Sequence, residues 1–199
     1  GIQLTPEGRS FLSLSQKALQ SLQDLDLAQQ AEGAVFGQRI ISIGCHPMVA
    51  QYTIPKALSI LKKKAHDFRI ELRHDLSRVI QMEIQKGRID LGIVINPIQV
   101  PDLIIKSLGS DVVSVWSHKL DFPHDTIICN PNLNQTQYIL KRWKNKPQKI
   151  ISTDSLELIC QMVAEGIGYG IIPGRAVQLS KPTLKRCASL PSFDDEIAL

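Results

Sequence analysis

RIISIGCHPMVAQYTIPKALSILKKK (39–64) decides the fold. RIISIG (39–44) is a compact run rich in β-branched isoleucine that ends in glycine, the composition of a buried strand. From His46 onward the segment reads as a helix, with Pro55 expected to bend or restart it. FRIELRH (68–74) alternates like a half-buried strand. DLSRVIQMEIQKG (75–87) follows as a helix that Asp75 or Ser77 could cap and Gly87 could stop. RIDLGIVI (88–95) is another apolar strand, closed by Asn96 and Pro97. Strand, helix, strand, helix, strand at such short spacing predicts right-handed parallel βαβ units.

A second series follows Pro101. LIIKSL (103–108) and VVSVWS (112–117) read as two strands separated by Gly109, Ser110 and Asp111. TIICN (126–130) is a strand ahead of the helical QTQYILKRWK (135–144), and KIIST (149–153) precedes the helix SLELICQMVAEG (155–166), with Asp154 or Ser155 at its cap. YGIIP (169–173) closes that unit. The expected architecture is therefore α/β, two small lobes at 38–97 and 98–190 with crossing segments around 97–112 and near the C-terminus. A helix over 1–30 stands in front. Thr5 suits its N-cap and Pro6 its first position, and Phe11, Leu12, Leu14, Ala18, Leu19, Leu22 and Leu25 recur at helical spacing. From the residues alone that stripe fits packing on its own core and pairing with a second subunit equally well.

Composition bounds the function. The 199 residues are 43% hydrophobic and 21% charged, ordinary for a globular protein, and the net charge of +4 is too mild for a dedicated nucleic-acid binder. Cys45, Cys129, Cys160 and Cys187 are scattered, with no C-x-x-C pair and no His at ligand spacing, so no metal site and reduced thiols are expected. No apolar run approaches the ~20 residues of a membrane span, and a cytoplasmic location is expected. Gly166, Gly168 and Gly170 form a G-x-G-x-G run between a helix and a strand, the reverse of a dinucleotide fingerprint. Helix termination and a tight turn explain it, and no cofactor is expected. In KRWKNKPQK (141–149), helical spacing puts Ile139, Leu140 and Trp143 on a packed side and leaves the basic residues solvated. Cys45-His46 is the only adjacent cysteine–histidine pair, and neighbours at a strand end point apart, so no enzyme is expected.

Four segments in order carry a resemblance to a known family. LTPEGRSFL resembles the junction in LysR-type transcriptional regulators where a winged helix-turn-helix runs into a long linker helix. ISIGCHPMVAQYTIPKAL resembles the first strand and helix of that family's effector-binding domain, GRIDLGIV its third strand, and SLELICQMVAEGIGYGIIPGRAV its serine-capped helix, glycine turn and following strand. The resemblance implies a periplasmic-binding-protein fold of type 2: two Rossmann-like lobes, a two-strand hinge and a small-molecule effector in the cleft. It implies that the arm pairs subunits into a dimer or tetramer through Phe11, Leu14, Ala18, Leu22 and Leu25. It also implies that promoter DNA is read by a domain in front of Thr5, and that segment 191–199, ending EIAL, returns to the first lobe. A free-standing solute-binding protein of the same fold is the alternative, but it would not explain the linker helix.

Loops at the carboxyl ends of parallel strands lie beside helix N-termini, whose free N–H groups and positive dipole ends attract anions. The candidate binding residues are therefore Cys45, His46, Pro47 and Met48 after the first strand, His74 and Ser77 after the second, and Asn96 and Pro97 after the third. Asn130 and Thr153 are the candidates of the second lobe. For Ser77, Asn96, Asn130 and Thr153 the structural alternatives are helix capping and turn satisfaction. The family often places Ser or Thr hydroxyls in the first loop, so His46 and Met48 are this chain's clearest departure.

Overall fold

The computed structural model describes residues 39–61, 68–120 and 123–199, and, of the N-terminal segment, residues 5, 6, 8, 9, 11–17, 19 and 21. In the first half β1 (Arg39–Cys45) lies between β2 (Phe68–His74) and β3 (Leu91–Ile95), all parallel. α1 (Pro47–Leu61) and α2 (Ser77–Gln85) are the crossovers. In the second half β5 (Thr126–Cys129) lies between β6 (Lys149–Ser152) and β7 (Tyr169–Pro173), again parallel. α3 (Asn134–Arg142) and α4 (Leu156–Ala164) cross over, and α5 (Gly174–Ser180) follows β7.

Two antiparallel strands join the halves: β4 (Ser107–Ser117) and β9 (Phe193–Ala198). β9 also pairs with β3 at Val94 and Ile95, and β4 also pairs with β7. Strand pairing therefore runs unbroken in the order β2-β1-β3-β9-β4-β7-β5-β6, with β8 (Lys185–Arg186) on the end of β4.

Several local expectations need correction. LIIKSL and VVSVWS are not two strands, because β4 runs continuously from Ser107; Gly109, at φ 141°, absorbs a register shift against β9 instead of breaking the chain direction. The third strand starts only at Leu91. The preceding Asp90 is a clasp, its Oδ2 accepting the Ser42 N–H and hydroxyl, both at 2.7 Å. Neither Asp75 nor Ser77 caps α2: Leu76 holds the N-cap position, and Ser77, one residue inside the helix, turns its hydroxyl to accept the Ile95 N–H at 2.8 Å. Pro55 lies within one continuous helix, on an exposed face where water can satisfy the carbonyl it leaves unpaired. Thr5 does cap its helix, accepting the Gly8 N–H at 3.1 Å.

Each half buries apolar residues on both faces of its strands. In the first, Ile43, Val49, Ile54, Ile93 and Ile197 form one cluster, and Ile80, Ile89 and Val94 the other. In the second, Val115, Ile127, Ile139, Trp143 and Ile171 pack on one side, and Ile128, Leu156, Ile159, Val163 and Ile172 on the other. Trp143 is thus core, while Lys141, Arg142 and Lys144 are exposed. α2 lies so close to its strands that a Cβ on Gly44 would sit 2.7 Å from Ile80 Cγ2. Ser155 caps α4, accepting the Leu158 N–H at 3.2 Å. Ser155→Ala is expected to cost about 1 kcal/mol, read as a lowered denaturation midpoint with an unchanged m-value.

Candidate functional site

β1 and β5 each have neighbours on both sides whose connections run in opposite directions, the arrangement that opens a crevice at a strand's carboxyl end. The loops after β1, β2, β3, β5, β6 and β7 converge on one cleft between the halves. It has two chambers. The inner one, about 260 Å³, is walled by Tyr52, Gln81, Ile98, Leu133, Asp111 and Asp195, among others. The outer one, about 360 Å³, has His74, Asp75, Asp154, Ser155 and Glu157 at its mouth. His46, Met48, Leu76 and Leu156 border both.

Six of the ten expected residues face this cleft: His46, Met48, Pro47, His74, Ser77 and Asn96. Four do not. Cys45 is fully buried in the core of the first half, since at the end of a strand its side chain alternates away from that of His46. Pro97 lines a separate cavity with Leu91, Leu103 and Ile104. Asn130 is 4% exposed and spends its side-chain oxygen on the Asn132 N–H, so Asn132 reaches the cleft in its place. Thr153 accepts the Ser155 N–H and leaves the wall to Asp154 and Ser155.

Tyr52, Gln81, Asp111, Gln135 and Asp195 are wall residues beyond those read from the sequence. Tyr52 had a signal: it lies one helical turn beyond Met48 on α1. Asp111 and Asp195 had none, because their meeting depends on the register of β4 against β9, where they are direct partners. Asn96 holds a left-handed backbone, φ 50°, and ties the cleft to the joining strands. It donates to Asp195 Oδ1 at 2.6 Å, and its own oxygen accepts the Glu196 N–H at 2.8 Å. Gln135 donates to the same Asp195 oxygen from the opposite half, at 2.8 Å.

The titratable groups are shaped by burial. Desolvation, reinforced by the neighbouring His74 ring, holds His46 below the ordinary imidazole value against the opposing pull of Glu157 and Asp154. Its Nδ1 accepts the Met48 N–H at 3.3 Å, leaving Nε2 as the donor. Burial and then Asp111 push Tyr52 up to about 12, so its phenol stays protonated. Burial raises Asp111 and Asp195, and Asp111 raises Asp195 further. A carboxyl raised by folding contributes stability that is fully present below its ordinary value and lost as pH rises through its folded value. The contribution of this pair should therefore fall as pH rises from about 3.8 through that raised range, and a urea-midpoint series against pH should rise more steeply, or fall less, in Asp195→Asn than in the unaltered chain. A slope unaltered by the variant would mean that Asp195 is not its source.

Burial raises all four thiols and so disfavours the nucleophilic thiolate. Cys45, Cys129 and Cys160 are free and buried, and burial pushes Cys129 and Cys160 up to about 11. Among the described residues no group of three or more His, Cys, Asp or Glu could hold a metal ion, and no helix is long and apolar enough to cross a membrane.

Comparison with known proteins bears on the fold and the family. The family model of the LysR substrate binding domain matches residues 37–197. The transcriptional regulator CzcR of Bacillus cereus is 26% identical over 201 residues, covering 96% of this chain and 68% of that protein. Among solved structures, a regulatory-domain variant of OxyR2 from Vibrio vulnificus superposes with a TM-score of 0.64 at 19% identity, covering 83% of this chain and 88% of that one. A full-length OxyR variant from Pseudomonas aeruginosa gives 0.64 at 20% identity over 98% of this chain and 70% of that one. These relatives are regulators rather than enzymes. The matched residues take in both halves and both joining strands, so the chain belongs to the LysR substrate-binding family, the effector-binding domains of LysR-type transcriptional regulators.

Proposed function

We propose that a small effector enters the cleft between lobe I (38–97, with return segment 191–199) and lobe II (98–190, with the joining strands as hinge) and shifts how the lobes close. The observation that carries this is the set of contacts spanning the gap. Met48 of the first half is buried among second-half residues. Gln51 donates to Glu157, and Asn96 and Gln135 meet on Asp195. A molecule among these groups changes their balance, and only unequal affinity for the open and closed arrangements can move the equilibrium.

Closure would reach promoter DNA through subunit geometry. Residues 11–17 of the arm are helical, and Phe11 and Leu14 are 74% and 65% exposed, apolar surface that a second arm would cover. Ala18, Leu22 and Leu25 lie outside the described residues. Pairing through this stripe gives a dimer, or a tetramer, that spaces two DNA-reading domains in the cytoplasm.

Native mass spectrometry of the chain mixed with a cell's small-molecule extract tests the cleft. Asn132 and Ile98 are exposed residues on the wall of the inner chamber, so Asn132→Trp and Ile98→Trp plug it without entering the core. A bound small molecule is expected on the unaltered chain and is expected to be lost from both variants. An adduct undiminished in both would place the effector elsewhere.

A further inference from the structure

Asp111 and Asp195 are direct partners across β4 and β9, the two strands that join the halves, and both face the inner chamber. Like charges set opposite each other on paired strands are destabilising. Asp195 is 4% exposed, and both of its side-chain hydrogen bonds go to Oδ1, from Asn96 and Gln135. Its Oδ2 takes neither. A buried carboxylate left without a cation is costly. Among the described residues neither aspartate has a Lys, Arg or His nitrogen within the 4.0 Å of an ion pair. The Arg175 guanidinium donates to the Ser110 carbonyl and lies over the Tyr52 ring at 5.5 Å. Its charge and the Val112 N–H, which Asp111 Oδ1 accepts at 2.7 Å, oppose the burial of Asp111, so Asp195 is the less compensated of the two. The outer chamber adds Asp75, Asp154 and Glu157, against a single arginine, Arg78, on the walls of the whole cleft.

We propose that the effector is an organic cation, a primary amine on a small apolar body, whose charged end seats between Asp111 and Asp195. The inference rests on the cleft being the effector site and adds the chemistry of its occupant. Three observations favour an amine over other ligands. Helix N-termini invite an anion, and α1 to α4 also begin at this cleft, but at the one beside the pair the N–H of Arg175, at the start of α5, is already taken by Asp111, at 3.3 Å and 3.2 Å to its two oxygens. A bare metal ion would want several oxygen ligands, and among the described residues no group of three or more His, Cys, Asp or Glu could supply them, whereas an ammonium needs only hydrogen-bond acceptors. The remaining walls include Ile95, Ile98, Leu133, Pro173 and Ala176, which suit a hydrocarbon body. Burial holds both carboxyls above the ordinary aspartate value, and a bound ammonium would restore their charged forms. Because the pair sits on the joining strands, relieving its repulsion also favours the hinge geometry that brings the strands together.

The deciding experiment supplies the cation from the protein itself. Gln135→Lys places an ammonium beside Asp195, and Gln135→Met is its uncharged counterpart of similar length. In the ligand-free chain at pH 7.5 the Lys variant is expected to melt above the Met variant, and that advantage is expected to vanish in an Asp195→Asn background, where Asn keeps the Oδ1 acceptor and loses the charge. Calorimetric titration then compares phenethylamine with 3-phenylpropionate, which share a ring and chain length and differ in charge. Phenethylamine is expected to bind, at least tenfold more weakly to Asp195→Asn, and 3-phenylpropionate to bind more weakly than the amine. Absence of the Lys advantage, or 3-phenylpropionate binding at least as tightly as phenethylamine, overturns the cation seat. The lysine advantage with neither ligand bound supports the seat for a cation and overturns an aromatic amine of this size as its occupant. Either failure leaves the cleft itself to be judged by the tryptophan plugs, whose readout does not depend on ligand charge.

Discussion

Met48→Ala should cost about 2–4 kcal/mol of stability, seen as a lower urea midpoint, while Met48→Leu should cost less than about 1.5 kcal/mol. Met48 belongs to α1 in the first half, yet its side chain is 4% exposed and lies among Ile128, Leu156, Ile159 and Ala176 of the second. Truncation to a methyl group removes apolar burial and leaves a void on the surface where the halves meet. The size of the loss reports how far the halves can move. If the joining strands hold them rigidly the void persists and the cost approaches the upper figure. If they slide together the cost is smaller, and the radius of gyration in solution scattering changes with it. A loss below about 0.5 kcal/mol, the range of ordinary surface substitutions, would show that Met48 does not hold the halves together. The thioether's adaptability suits this position, because a side chain at a moving interface has to repack in more than one arrangement.

Met48 also marks how far the sequence could be read. The step from RIISIG into a helix, and its repetition around TIICN and KIIST, made the two parallel units legible, because β-branched runs and capped helices are local signals. His46 and Ser77 were legible as cleft residues because carboxyl-end loops of parallel strands must lie at a crevice. Which side of each loop faces the cleft was not, since that depends on a single residue's alternation. Cys45 points into the core while His46 points out, and Thr153 is occupied with the Ser155 N–H while Asp154 lines the wall. Long-range register was least legible. Asp111 and Asp195 are 84 positions apart in the chain (195 − 111), and nothing near either residue announces the other; only the pairing of β4 with β9 brings them together. The single long β4 was misread for a related reason, as Gly109 looks like a break in the sequence but acts as an irregularity within one ladder.

The glycine run gives the second large effect, and its sign separates two accounts of one residue. Gly166 has φ 75° and ends α4 in the left-handed conformation that glycine adopts freely, as the helix-termination account requires. Gly168 is not among the glycines with positive φ, so its backbone conformation is open to alanine. Were it only a flexible turn residue, Gly168→Ala would stabilise the fold by about 0.4–1 kcal/mol by narrowing the unfolded ensemble. A Cβ at that position, however, would lie 2.6 Å from the Thr126 carbonyl oxygen and 3.1 Å from its carbon. These are backbone atoms at the start of β5, and they cannot rotate aside as a side-chain tip can. Relief requires β7 to draw away from β5 beside the Ile127–Tyr169 pairing, through the ring packing of Tyr169 on Trp143 and against the buried Ile171. Overpacking of this kind costs about 1–3 kcal/mol, enough to exceed the entropic gain. Gly168→Ala should therefore lower the denaturation midpoint, and because Asn132, after β5, and Pro173, the last residue of β7, line the cleft, it should weaken effector binding as well. A midpoint unchanged or raised would return Gly168 to the turn and leave the close approach of β5 and β7 without energetic weight.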